Sequence, residues 1–306
     1  MIYTLTLNPS IDCALYISNF EIGATNRSLM EDIKAGGKGI NISRMMNILG
    51  LPNKAMALVA GESGKYFENL VRNDGIDYEF FYLPKGETRI NVKIEGNKET
   101  EINAAGPDID EKTFGNLILR LMDLGYGDTL IISGSSLPNL KPDIYARIIR
   151  SLNANVRVIV DAAGPLLINA LDAKPFLVKP NFKELEEIIG HKIKDDYDLV
   201  GAMKTVRNAG AENVIVSLGK QGAAMLISDG TVMMCKAKEG QVVNTIGAGD
   251  CLLAGFIATW YASSDLKKSL ITAVSCGTAK AFSKGFPTML KINEVRGTVE
   301  IEEIKM

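Results

Sequence analysis

The chain reads as an α/β protein, a mainly parallel sheet covered by helices with a small β-sheet lid. Three observations predict this. Strand-like and helix-like segments alternate through most of the 306 residues. The strand-like segments are rich in Val, Ile and Leu without polar alternation, as in strands buried on both faces. Two other stretches, at residues 12–34 and 87–104, alternate apolar and polar residues and carry no long helical face.

Taken in order, Ile2 to Leu7 reads as the first strand. Ile42, Met45, Met46 and Leu49 fall at i, i+3, i+4 and i+7, the stripe of an amphipathic helix. Ala55 to Ala60 follows as a strand, and Thr129 to Ser133, Val156 to Val160, Phe176 to Lys179 and Val214 to Leu218 continue the series. Leu199, Ala202, Met203 and Val206 mark one face of an intervening helix. In the first exceptional stretch, Ala14-Leu15-Tyr16-Ile17 forms a short alternating piece. In the second, Ile90, Val92 and Ile94 alternate, Glu95-Gly96-Asn97 turns, and Thr100-Glu101-Ile102 resumes, the pattern of a hairpin. With no repeat, linker or low-complexity tract, residues 1–306 are expected to form one domain with a discontinuous lid.

Composition narrows the function. At 46% hydrophobic and a formal charge of −2, the chain has ample core material and no electrostatic footprint for nucleic acid or an anionic membrane. No apolar run reaches spanning length, and the N-terminus opens directly into a strand, so a cytoplasmic location is expected. Cys13, Cys235, Cys251 and Cys276 form no CxxC pair and read as reduced core thiols. His191 is the only histidine, expected at the surface or a cap. General-base work therefore falls to a carboxylate, cysteine or lysine.

Two glycine-rich segments carry the chemistry. Asn244-Thr245-Ile246-Gly247-Ala248-Gly249-Asp250 precedes an apolar run from Cys251 to Ile257 that reads as a buried helix. Small residues let backbone amides approach an anion at a helix N-terminus, and Asp250 sits in the first turn. An anion cradle beside a fixed carboxylate suits phosphoryl transfer to an alcohol, although a plain glycine turn capping a core helix has the same residues. Gly36-Gly37-Lys38-Gly39-Ile40-Asn41 is a second such element, able to hold a substrate or to be a flexible turn with a solvated lysine. No Walker A loop and no GxGxxG after a strand is present. Asp12, past the first strand, could accept hydrogen bonds from sugar hydroxyls or be an exposed turn residue. Asn181 and Glu184 are spaced as a capping box, and Glu184 could also orient a water on Mg²⁺. Ser217 to Ala223 joins two strands through Gly219 and Gly222, either as a plain hairpin or as a nucleotide flank.

With these elements in this order, the chain resembles the PfkB branch of the ribokinase superfamily over essentially its whole length. The two glycine-rich motifs are specific as a pair. The resemblance implies a ribokinase-like three-layer sandwich, a β-sheet lid that often forms homodimer contacts, and Mg·ATP-dependent phosphorylation of an alcohol. Asp250 would be the base, with Gly247, Ala248 and Gly249 as the anion hole. Lys179, Asn181, Ser217, Gly219, Gly222 and Gly249 would bind ATP, and Glu184 would reach Mg²⁺ through water. The phosphosugar kinases of the family fit best: Asp12, Gly37, Asn41 and Asn103 would hold the sugar, and Arg27, Lys38 and Arg89 its existing phosphate. Thr88 to Ile94 and Thr100 to Asn103 with Gly106-Pro107 look more like 1-phosphofructokinases than tagatose-6-phosphate kinases. The expected reaction is D-fructose 1-phosphate to fructose 1,6-bisphosphate. Tagatose-6-phosphate kinase, 6-phosphofructokinase and a non-catalytic sugar-phosphate binder are the alternatives. Asn244, Cys251, Asn139-Leu140 and Ala163 depart from common family residues, which bears on substrate preference and leaves base and cradle intact.

Overall fold

The strands Ile2–Thr6, Lys54–Ala60, Thr129–Ser133, Arg157–Asp161, Leu177–Val178 and Asn213–Ser217 lie where the sequence expects them, within a residue or two. The structure is a computed structural model that describes residues 1–96, 99–237 and 239–304. Ile2–Thr6 lies inside a 10-stranded sheet. Every neighbouring pair from Tyr78–Leu83 at one edge to Asn213–Ser217 is parallel. Ala223–Leu226, Val232–Lys236 and Glu300–Ile304 then extend the sheet antiparallel.

The continuous apolar strands are explained by burial on both faces. Leu130 and Ile132 point into one helical layer and Ile131 into the other. The layer around Ile131 contains Ile42, Met45 and Met46 of the helix Lys38–Ile48, together with the helices Ala248–Ser263 and Leu266–Ala281. Leu49, counted with the first helix in sequence, is its C-cap. On the opposite layer, Leu199, Ala202, Met203 and Val206 are buried in the helix Asp196–Asn208. Each fully buried Leu, Ile or Phe contributes about 1.5–3 kcal/mol over its exposed state. The Cys251 to Ile257 run is wholly buried, which fixes the N-terminus of that helix to the sheet. Gly255 allows the close approach behind it, since a methyl group there would lie 2.8 Å from Cys276 Sγ and from the Thr272 carbonyl oxygen.

The two exceptional stretches form one separate four-stranded sheet, ordered Met30–Gly36, Ser10–Tyr16, Arg89–Glu95 and Thr100–Ile102. The last two are the antiparallel pair expected from the alternation. Asn97 of the expected turn lies outside the described residues. Register puts Ser10, Asp12, Lys34, Arg89, Asn91 and Lys93 on one face and Ile11, Cys13, Ile33, Ile90 and Val92 on the other. Cys13 corrects one expectation: it is half-buried on this sheet, whereas Cys235, Cys251 and Cys276 are core thiols. His191 is exposed, as expected. Among the described residues no helix is long and apolar enough to cross a membrane.

Candidate active site

In parallel sheets ligands gather where strands end at their carboxyl edge. Here that edge brings together Asn8, Ser133, Asp161, Lys179 and Ser217, each at or just past a strand end. Ser133 pairs with Asp161 in register, and the Lys179 amide donates to the Val160 carbonyl. Both glycine-rich helix starts open onto this edge.

The first motif is held by contact with the protein. Gly37, the N-cap, has φ 114°, a conformation that L side chains rarely adopt. A methyl group at Gly36 would lie 2.5 Å from the Asp12 carboxylate, and one at Gly39 would collide with Thr6 Oγ1. Asp12 is thereby pressed against the backbone of the motif. It accepts hydrogen bonds from Ser10 Oγ at 2.8 Å and Asn91 Nδ2 at 3.1 Å, with Lys93 Nζ at 3.8 Å.

Asn41 links the two motifs. Its Nδ2 donates to Asp250 Oδ2 at 2.8 Å, and its Oδ1 accepts from Arg44 at 2.9 Å. Arg44 is in turn anchored by Asp74 and the Ala35 carbonyl, so the amide cannot flip without losing both bonds. Asp250 is 6% exposed, in the first turn of Ala248–Ser263. Burial, and then repulsion from Asp161, raise its pKa above the ordinary aspartate value, against the pull of Lys38, the Asn41 bond and Lys179.

Asp161 is fully buried and lies between two ammonium groups, Lys38 Nζ at 2.9 Å and Lys179 Nζ at 3.3 Å. Burial alone would raise its pKa, but Lys179 and Lys38 override it and hold the carboxyl below the usual range. Lys38 is therefore an ion-paired lysine whose side chain stays partly exposed. For Lys38, burial acts to lower the pKa, while Asp161 and then Asp250 raise it, and the raising prevails.

Arg89 packs against the same edge. It donates to the carbonyls of Asn8 and Ala104 and to Ser135 Oγ, and its Nε makes no protein hydrogen bond. Asn103 is exposed beside Ala104, whose amide donates to Asn91. Arg27 is exposed in the connection between Tyr16 and Met30.

On the far side of the second motif lies a cavity of about 900 Å³, lined by Asn181, Ser217, Gly219, Gly222, Gly249 and the helix Leu266–Ala281. Lys179 is buried behind it, and a methyl group at Gly249 would lie 3.3 Å from its Nζ. Asn181 and Glu184 form the complete capping box: Asn181 Oδ1 accepts the Glu184 amide and Glu184 Oε2 accepts the Asn181 amide, each at 2.8 Å. This leaves Glu184 one carboxylate oxygen outside the box. Among the described residues no cluster of three or more His, Cys, Asp or Glu could cage a metal. Cys251 is buried, and burial and Asp250 push its thiol well up, so it is not a thiolate beside the loop.

Reasoning from sequence missed Asp161, Asn91 and Arg44. Asp161 carried a signal, its place at the end of an apolar strand. Asn91 and Arg44 carried none, because their roles come from register and from a helix face.

A family model described as pfkB family carbohydrate kinase matches residues 8–292. A 1-phosphofructokinase of Bacillus subtilis is 36% identical over 99% of this chain and 100% of its own length. A D-tagatose-1-phosphate kinase of Bacillus licheniformis is 33% identical over 99% and 100% respectively. The crystal structure of phosphofructokinase-2 from Escherichia coli in complex with fructose-6-phosphate superposes with a TM-score of 0.90 at 26% identity, covering 97% of this chain and 98% of that one. The fold is ribokinase-like. With the paired glycine motifs and the part-buried Asn41–Asp250 contact between them, the chain belongs to the pfkB family of carbohydrate kinases, phosphotransferases with an alcohol acceptor.

Proposed function

We propose that this enzyme transfers the γ-phosphoryl group of ATP to the free primary hydroxyl of a ketohexose 1-phosphate, with D-fructose 1-phosphate as acceptor and fructose 1,6-bisphosphate as product. The observation that carries this reading is the 2.8 Å bond from Asn41 to Asp250, which puts the acceptor-side motif and the cradle-side carboxylate at one point. Asp250, with its raised pKa, takes the hydroxyl proton as the new O–P bond forms and the bond to the ADP oxygen breaks. The amides of Gly247, Ala248 and Gly249, at the N-terminus of Ala248–Ser263, receive the developing charge. Asp12 and Asn41 orient sugar hydroxyls, and Arg89 with Ser135 holds the existing phosphate, with Lys38 close by at Gly134.

The cavity bounded by Ser217, Gly219, Gly222 and Gly249 fits the nucleotide, with its phosphates directed to the helix N-terminus. Asp161 Oδ2 is buried without a protein partner and Glu184 keeps one free oxygen, a donor set that suits a hydrated Mg²⁺ held largely by phosphates. When bound, that ion neutralises charge on the phosphoryl oxygens.

The names of the two Bacillus relatives support a phosphate on C1 of the acceptor. They also favour a second acceptor, D-tagatose 1-phosphate, which differs only in configuration at C4. ADP release measured with fructose 1-phosphate, tagatose 1-phosphate, tagatose 6-phosphate and fructose 6-phosphate tests the assignment. The expected order puts fructose 1-phosphate first in kcat/KM, and release with none of the four would end the reading. A homodimer through the small sheet is part of the same proposal, because Ile33, Ile90 and Ile102 leave its apolar face 38, 50 and 57% exposed. Sedimentation should give twice the chain mass; a monomer at micromolar concentration would remove that part.

A further inference from the structure

Lys280 is a buried cation without a carboxylate. It is 3% exposed in the last turn of Leu266–Ala281, and no Asp or Glu among the described residues lies within ion-pair distance. Its one hydrogen bond among the described residues runs from Nζ to the Asn244 main-chain oxygen at 3.2 Å. Burying an ammonium without a counter-charge costs several kcal/mol, so a fold retains one where something offsets the cost. The helix C-terminus offsets only part of it.

The surroundings show what the charge faces. Lys280 lines a cavity of about 310 Å³ together with Asp12, Asn41, Gly247 and Lys284. The position a methyl group would take at Gly247 lies 4.0 Å from Lys280 Cε, 3.9 Å from Asp250 Oδ2 and 3.9 Å from Asn41 Nδ2. The other cations there are engaged: Lys34 with Asp32, Lys93 with Asp12, Arg44 with Asp74, and Lys284 over the Tyr16 ring. The Asn244 segment is tied to the same helix end, since the amides of Val243 and Asn244 both donate to the Ala281 carbonyl. Asn244 Oδ1 accepts the Ile246 amide at 2.8 Å, which passes that tether into the loop.

We propose that Lys280 is a positioning residue for phosphoryl transfer: its ammonium pins the Asn244 carbonyl, holds Thr245–Gly249 with its amides turned to the incoming group, and keeps a positive charge behind Gly247. This rests on the reading of that loop as the phosphoryl-receiving site. A merely structural lysine would set stability and leave the loop and turnover alone.

The test compares wild type with Lys280→Met and Lys280→Arg, with Lys280→Gln as the second neutral variant if Met does not fold. Two readouts are taken: amide hydrogen exchange over residues 245–249, and kcat and KM for both substrates. In the neutral variant, exchange in the loop should rise about 10-fold and kcat should fall about 100-fold, the scale of losing a preorganised charge-stabilising contact. KM for ATP should stay within about threefold, exchange across 266–279 should be unchanged, and Arg should recover at least a tenth of the lost turnover. Unchanged loop exchange overturns the proposal, as does faster exchange with kcat intact. Should wild type itself transfer no phosphoryl group, the acceptor reading falls, and the exchange data alone decide whether Lys280 holds the loop.

Discussion

The two glycine-rich helix starts look alike in sequence and differ in what surrounds them. At Gly36 and Gly39 a methyl group would strike Asp12 and Thr6, so those glycines are required by neighbouring protein atoms. At Gly247 nothing lies closer than 3.9 Å, and at Gly249 the nearest atom is an ammonium nitrogen at 3.3 Å. The first motif is full, and the second is open at Gly247 and closed more loosely at Gly249. Gly247 is required by its left-handed backbone, φ 77°, rather than by a neighbour's side chain, and the room beside it faces Asp250, Asn41 and Lys280. The difference separates a motif that shapes the acceptor side from one that receives a charged group.

The largest expected effect falls on the open motif. Asp250→Asn keeps the Asn41 contact within reach but removes the base, and kcat should fall about 1000-fold while ATP still binds. Because the pKa of Asp250 is raised, the folded chain binds this proton more tightly than the unfolded chain. Its ionisation therefore costs stability above the folded pKa, and the cost vanishes as pH falls. The variant should accordingly melt no lower than wild type at pH 7, and the acid limb of wild-type kcat/KM should lie above the ordinary aspartate pKa. A melting point several degrees lower would break this account of Asp250.

Next comes Asp161→Ala, which leaves the buried Lys179 and the half-buried Lys38 without their shared carboxylate. A loss of about 3–5 kcal/mol in denaturant unfolding is expected, as for other broken buried pairs. The depressed pKa of Asp161 gives the matching sign: its contribution is present above the unfolded pKa and disappears as pH falls through the folded one. Smaller again is Arg89→Ala, expected to raise KM for the phosphosugar about 10- to 100-fold with KM for ATP nearly unchanged, from the loss of a charge-assisted contact. An unchanged sugar KM would move phosphate recognition to another residue.

Much of this was legible in the sequence. Apolar strands and the Cys251 to Ile257 run announce a doubly covered sheet because burial on both faces leaves no polar alternation. The small sheet was legible for the opposite reason, since Asp12, Asn91 and Lys93 alternate with Ile11, Val92 and Ile94. What the sequence could not show is how distant residues pair. Lys38 reads as a substrate contact or a solvated lysine, and its ion pair with Asp161, 123 positions away, is not visible in sequence. Arg27 and Arg89 read alike as phosphate-holding arginines, and only the structure shows that Arg89 is bound to the carbonyls of Asn8 and Ala104 while Arg27 is exposed on a connection.

The contrast between the full motif and the open one is tested most directly by measuring kcat and melting temperature together for Gly39→Ala and Gly249→Ala. Gly39→Ala should cost about 1–3 kcal/mol of stability through overpacking against Thr6. Gly249→Ala should melt within about 3 °C of wild type, a shift equivalent to roughly 1 kcal/mol, and lose about 100-fold in kcat as the cradle amides shift. Wild-type turnover in a stably folded Gly249→Ala variant would contradict the assignment of the open motif to the transferred group.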